Sequence, residues 1–173
     1  VFTLPSEDLK GKIIGREGRN IRTIERLTGV ELIIDETPET LVISSFDPLR
    51  REIAKLTLQK LIKDGRIQPA KIEEKAEEAK TEINKRMCEI GEEAAYEVGI
   101  FDLPAEIIQL LGRLNFRTSF GQNVLVHSVE MAHIAGMMAA ELGANVEIAK
   151  RGPLLHDIRN AIHHQDHGTP EEL

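Results

Sequence analysis

The sequence predicts an α+β domain of order β-α-α-β-β-α at the N-terminus, followed by an all-α region. Three observations carry this prediction. Short apolar runs bounded by turn residues read as strands, while apolar residues three and four apart read as helices. A Gly15-Arg16-Glu17-Gly18 loop lies between two apolar segments. Gln68-Pro69-Ala70 then marks a change in charge: residues 1–70 hold 12 Lys/Arg against 11 Asp/Glu, and residues 71–100 and 101–173 each hold 5 against 9.

Val1 to Leu4 is the first strand, and Ile13 and Ile14 close the segment before the loop. A helix beginning at Gly18 carries Ile21, Ile24 and Leu27, and Gly29 ends it. Free N–H groups at its start would point at whatever the loop holds. Val30 to Asp35 and Thr40 to Ser44 read as paired strands. Asp47 is the expected N-cap and Pro48 the first residue of a helix that Gly65 closes.

This order, with a G-x-x-G loop between the first two helices, resembles a KH domain, a module that clamps about four nucleotides of single-stranded nucleic acid. Candidate RNA-binding residues are Ile14, Gly15, Arg16, Glu17, Gly18, Arg19 and Arg22. From Lys10 to Arg26 six cations face two carboxylates, a balance of +4 in a chain of net charge −7. That contrast predicts one localised anion site rather than general affinity for nucleic acid. Glu17 sits inside the loop and would face the phosphates. With no Trp and five Phe, backbone clamping fits better than many stacked aromatics.

Residues 69–100 read as one long amphipathic helix, with Ile72, Ala76, Ala79, Ile83, Met87, Ile90, Ala94 and Val98 on one face. Its stripe is expected to dock on the C-terminal domain or on a partner chain. Leu103-Pro104 opens the next helix, through Leu114. Ser119 to Asn123 reads as a loop. Val124 to Leu142 is apolar on most sides and is expected to be a central buried helix ended by Gly143. Val146 to Lys150 reads as a short helix before Gly152-Pro153. The single cysteine, Cys88, excludes a disulfide framework and suits a reducing cytoplasm. No leader or membrane span is visible. A chain that opens directly on a strand is expected to be a piece of a longer protein.

The histidines suggest chemistry. His127 lies on the Val124–Met131–Ala135 face of its helix, and His156-Asp157 follows Pro153 near the expected start of another. A helix-borne His followed about thirty residues on by His-Asp resembles the spacing of HD phosphohydrolases. Imidazole and carboxylate hold a divalent ion without saturating it, leaving a position for water. His133 reads as a packed core residue, and His163, His164 and His167 as a polar terminus.

Longer motifs extend the resemblance: Gly11 to Thr23, Asp47 to Ala54, Asp64 to Ile67, Glu97 to Ile100, Arg117 to Leu125 and Leu154 to Ile158. In these the chain resembles the ribonuclease Y family, a KH domain followed by an HD domain. The expected organisation is a KH RNA-binding domain at 1–68, the connecting helix at 69–100, and a truncated, all-α HD-type domain at 101–173.

The resemblance implies metal-dependent cutting of single-stranded RNA that starts mRNA decay. His156 and Asp157 would be catalytic, and His127, His156 and Asp157 would bind a divalent ion (Mg, Mn or Zn). It also implies a homodimer, RNA-decay partners, and a parent protein anchored to the cytoplasmic face of the membrane through a segment absent here. Arg159 and Asn160 stand where the family has Gly and Lys, and a family His falls near Pro170. The family's last Asp ligand comes from a helix far downstream, and Asp166 is too close to His156 to replace it. The chain alone is therefore expected to cut poorly, and its 124–142 helix to promote aggregation or dimerisation. Two further readings stay open: a non-catalytic RNA-binding and oligomerisation fragment, and an HD hydrolase of small nucleotides.

Overall fold

The computed structural model describes residues 1–162. His163, His164, Asp166, His167 and Pro170 lie outside them. Two compact units divide within one long helix: Val1–Ile83, and the residues from Asn84 onward.

In the first unit the order is β1 (Phe2–Thr3), α1 (Glu7–Ile14), a 3₁₀ turn (Arg16–Gly18), α2 (Arg19–Thr28), β2 (Glu31–Ile33), β3 (Thr40–Ser44) and α3 (Pro48–Asp64). This is the β-α-α-β-β-α order expected from the sequence. β3 is central and antiparallel to both neighbours, with Phe2 opposite Leu41 and Leu32 opposite Ile43. The sheet and helices bury Leu4, Ile13, Ile24, Leu32, Leu41, Leu58 and Leu61. Asp47 caps α3 by accepting from the Leu49 N–H at 3.0 Å, with Pro48 at the first helical position.

α4 (Pro69–Val98) runs unbroken for 30 residues. Seven of its eight stripe residues are buried and Ile90 is half-buried. Ile72 joins the core of the first unit, whereas Ala94 and Val98 join that of the second. Its stripe therefore packs within both units of this chain.

The second unit continues with α5 (Ala105–Arg113), a 3₁₀ turn (Leu114–Phe116), β4 (Thr118–Ser119), β5 (Gln122–Asn123), α6 (Val124–Glu141), α7 (Val146–Leu155) and a 3₁₀ turn (Ile158–Ala161). Three expectations are corrected. Residues 119–123 belong to a two-stranded hairpin, with Ser119 opposite Gln122; strands this short leave no alternation to read. α7 does not stop at Lys150 but passes through Gly152 and Pro153. Burial of Leu154 in the core outweighs the one hydrogen bond that the proline lacks. α6 is buried along one face only: Val129, Ala132 and Ala139 are covered, while Met131, Ile134, Met137, Met138 and Leu142, just beyond its end, are exposed.

Two glycines set the α4–α5 crossing. A Cβ on Gly112 would lie 1.7 Å from the Met87 carbonyl oxygen, and one on Gly91 would lie 2.0 Å from that of Ile108. The two backbones touch, so any side chain there forces the helices apart. We predict that Gly112→Ala destabilises the protein by about 1–3 kcal/mol or more, seen as a lower urea midpoint. Gly152→Ala, whose methyl meets nothing within 4 Å, should leave the midpoint unchanged or raise it.

Candidate functional site

The G-x-x-G loop is held from inside. Gly15 has φ 72° and ψ 175°, a conformation essentially restricted to glycine. Directly against it lies buried Asn20, whose amide donates to the carbonyls of Lys12 (2.9 Å) and Ile67 (3.1 Å). Glu17 and Gly18 are also left-handed, at φ 53° and 71°. The Gly18 N–H donates to the Gly15 carbonyl at 3.2 Å, so it is not among the free donors expected at the helix start. Arg22 folds back to donate to the carbonyls of Gly18 (3.3 Å) and Glu17.

Outside the loop is a surface pocket of about 380 Å³ lined by Arg16, Glu17, Arg19, Arg22, Thr23 and Arg26. Residues 19, 22, 23 and 26 share the outer face of α2, because steps of three and four return to the same side of a helix. Thr23 and Arg26 were absent from the sequence-derived site, although their spacing from Arg19 and Arg22 was the available signal. Ile14 is half-buried beside the loop. Lys10 does not belong to this patch. It is buried, and its ammonium donates to the carbonyls of Asp35 (2.9 Å) and Thr37 (2.8 Å).

In the second unit, His127, His156 and Asp157 come together. One ligand atom from each lies within 4.8 Å of the others, the one such group among the described residues. Asn123 positions His127 by capping α6: its side chain accepts from the N–H groups of Leu125 and Val126, which places His127 in the first turn. His156-Asp157 sits at the junction where α7, having run on through Pro153, ends and the 3₁₀ turn Ile158–Ala161 begins. The His127 and His156 rings meet edge to face with centroids 5.7 Å apart.

His156 Nδ1 donates to the Pro153 carbonyl at 2.5 Å, which makes Nε2 the nitrogen available to a metal ion. That Nε2 is 3.0 Å from Asp157 Oδ2. Asp157 Oδ1 accepts from Asn160 Nδ2 at 3.1 Å. Two ligands each about 2.1 Å from one ion stand at most about 4.2 Å apart, so small side-chain rotations fit this group to a divalent ion. Two imidazoles and one carboxylate would leave its remaining positions open. His133 is not a core residue: it is half-buried, with Nε2 3.5 Å from Glu97 Oε1.

A KH-domain family model matches residues 1–60 and an HD-domain model matches residues 124–172. The first span contains the loop and the arginine pocket; the second contains His127, His156 and Asp157. Ribonuclease Y of Symbiobacterium thermophilum is 62% identical over 169 residues, which is 98% of this chain and 33% of that protein. Ribonuclease Y of Thermoanaerobacter pseudethanolicus is 63% identical over 97% of this chain and 33% of its own length. That of Enterococcus faecalis is 59% identical over all of this chain. The chain belongs to the ribonuclease Y family.

Within this family the chain is a KH domain followed by an HD domain, and it spans about a third of the length of the curated ribonucleases Y that it matches. HD domains are divalent-metal-dependent hydrolases, and the three-donor group falls in that part of the ribonuclease Y sequence. No solved structure matches the chain. No helix among the described residues is long and apolar enough to cross a membrane.

We predict that Gly15→Ala distorts the loop. Its Cβ would lie 2.8 Å from the Asn20 side chain, displacing the amide from two carbonyls at a cost of about 1–3 kcal/mol. Hydrogen exchange of the amides around the loop should accelerate, while that of the second unit stays unchanged.

Proposed function

We propose that this chain holds single-stranded RNA at its KH loop and contributes metal ligands to an endoribonuclease that hydrolyses phosphodiesters and initiates mRNA decay. The observation that carries this reading is the convergence of His127, His156 and Asp157 in a chain whose other unit carries a G-x-x-G loop beside four arginines. Residues 1–68 act as the RNA-binding domain, 69–100 as the connector and 101–173 as part of the hydrolase domain.

Each residue has a separate task. Gly15 and Gly18 let the RNA backbone approach the loop closely, and Ile14 offers apolar contact to bases. Arg16, Arg19, Arg22 and Arg26 neutralise phosphates; Arg22 also braces the loop through its carbonyls. Glu17 repels phosphate at one point of the rim, which favours a particular path for the strand. Both histidines and Asp157 would hold a divalent ion, and the two imidazoles favour Mn²⁺ or Zn²⁺ over Mg²⁺. Such an ion, when bound, lowers the pKa of a water ligand and offsets phosphoryl charge. The Pro153 carbonyl fixes the His156 tautomer, and Asn160 orients the Asp157 carboxylate. Through its family we also assign the parent protein a homodimeric state, RNA-decay partners and a cytoplasmic-face membrane anchor.

RNA binding without cleavage is a second reading. It is favoured by Asn160, a neutral residue already bonded to Asp157 where the family has a lysine. The separating experiment incubates 5′-labelled single-stranded RNA with the chain in Mg²⁺, Mn²⁺ or EDTA, alongside its His156→Ala/Asp157→Ala variant. Metal-dependent cutting lost in the variant supports the nuclease. RNA that is bound but intact in every lane overturns the nuclease reading for this chain and leaves the binding one. In either case, Arg19→Ala/Arg26→Ala should lower the salt slope of RNA affinity by roughly 1.4, two phosphate contacts at about 0.7 each.

A further inference from the structure

Phe120 is the most exposed large apolar side chain among the described residues, with a relative accessibility of 109%. It stands at the tip of the β4–β5 hairpin, where Phe120 and Gly121 have φ of 50° and 80°. Turns that need positive φ at both central residues favour Asn-Gly or Asp-Gly. A phenylalanine there is unfavourable for the backbone and gains nothing from burial. Phe46 is nearly as exposed but does not have a positive φ. Among the large apolar side chains of the described residues, only Phe120 combines exposure with a positive φ.

The hairpin is braced. Asn123 Nδ2 donates to the Asn115 carbonyl at 2.8 Å, the Val124 N–H donates to the Arg117 carbonyl at 3.1 Å, and Gln122 Nε2 donates to Glu130 Oε2 on α6 at 3.0 Å. β5 then runs directly into α6, whose first turn carries His127. Three strand residues of about 3.3 Å each place the tip within about 10 Å of Asn123, the α6 cap. A fully exposed aromatic ring therefore stands at the tip of a hydrogen-bonded hairpin that leads into α6, the helix that carries His127.

We propose that Phe120 is a base-stacking platform for single-stranded RNA at the HD site, a contact separate from the KH loop. The inference rests on the nuclease reading above. Every base has a π-face, and phenylalanine has no hydrogen-bonding group, so the platform accepts any unpaired base and rejects paired ones. It orients the strand beside His127 without selecting a sequence.

The chain contains no Trp, so Phe120→Trp introduces a sole indole reporter. In EDTA, where metal-dependent cutting is prevented, unlabelled single-stranded RNA should quench its emission saturably, and duplex RNA should not. Anisotropy of labelled RNA in parallel samples reports total binding. Phe120→Ala should weaken binding roughly five- to tenfold, Phe120→Tyr should retain it, and neither should lower the urea midpoint. Binding by anisotropy with unchanged Trp emission would overturn the platform and leave KH binding standing. Absence of binding in every variant would overturn both. Trp emission that shifts with protein concentration before RNA is added would show a second copy on the hairpin, and would also overturn the platform.

Discussion

The candidate metal centre depends on how closely α6 and α7 approach, and Lys150 packs at that approach. Lys150 on α7 lies across Gly136 on α6, where a Cβ would stand 2.6 Å from its Cε. Its ammonium then donates to the Val98 carbonyl at the end of α4, at 3.1 Å. An aliphatic stem packed on a glycine and a charged head on a helix C-terminus use both halves of a lysine. Three helices are pinned at one point. Six residues further along α7, His156 meets His127 of α6. The ligands sit on two rigid helices and one tight turn, which limits the number of loop torsions that must be ordered to form the site.

The RNA-facing unit uses buried polar groups in the same way. Asn20 and Lys10 are both nearly inaccessible, and each donates to two backbone carbonyls. An unpaired buried donor would be costly, so these residues fix the segments they touch. Asn20 fixes the G-x-x-G loop against the segment after α3, and Lys10 fixes the β2–β3 connection. The arginines line one surface pocket, where Arg22 also braces the loop carbonyls and Arg26 lies 3.8 Å from Glu73. The +4 stretch thus contains a buried cation that builds the fold, Lys10, and exposed arginines around a pocket, a division that composition alone conceals.

Legibility in the sequence followed the strength of local signals. The Asp47-Pro48 start of α3, the thirty-residue stripe of α4 and the β-α-α-β-β-α order were readable because capping chemistry and helical periodicity are written in neighbouring residues. The extension of α7 through Pro153 was not, because it depends on Leu154 being buried by elements distant in the chain. The exposed side of α6 was misread for a related reason: Met131, Met137 and Met138 are apolar whether or not anything covers them. At the sites, the His127 and His156-Asp157 grouping was visible from spacing. The Asn20 brace was not, since it reaches Ile67, 47 residues away; the Pro153 carbonyl on His156 and the Asn160 contact to Asp157 are three-residue contacts whose geometry depends on α7 running through Pro153 and on the turn after it.

The side chains presented to RNA are suited to recognising strandedness rather than sequence. The arginines on α2 carry charge suited to phosphates, which are alike at every nucleotide. A glycine loop permits close backbone approach but carries few groups able to read a base edge. Phe120 offers a flat apolar surface to any unstacked base. Each element favours a flexible, unpaired strand and is indifferent to its letters. On the proposed reading, choice among RNAs would rest on where a strand is unpaired.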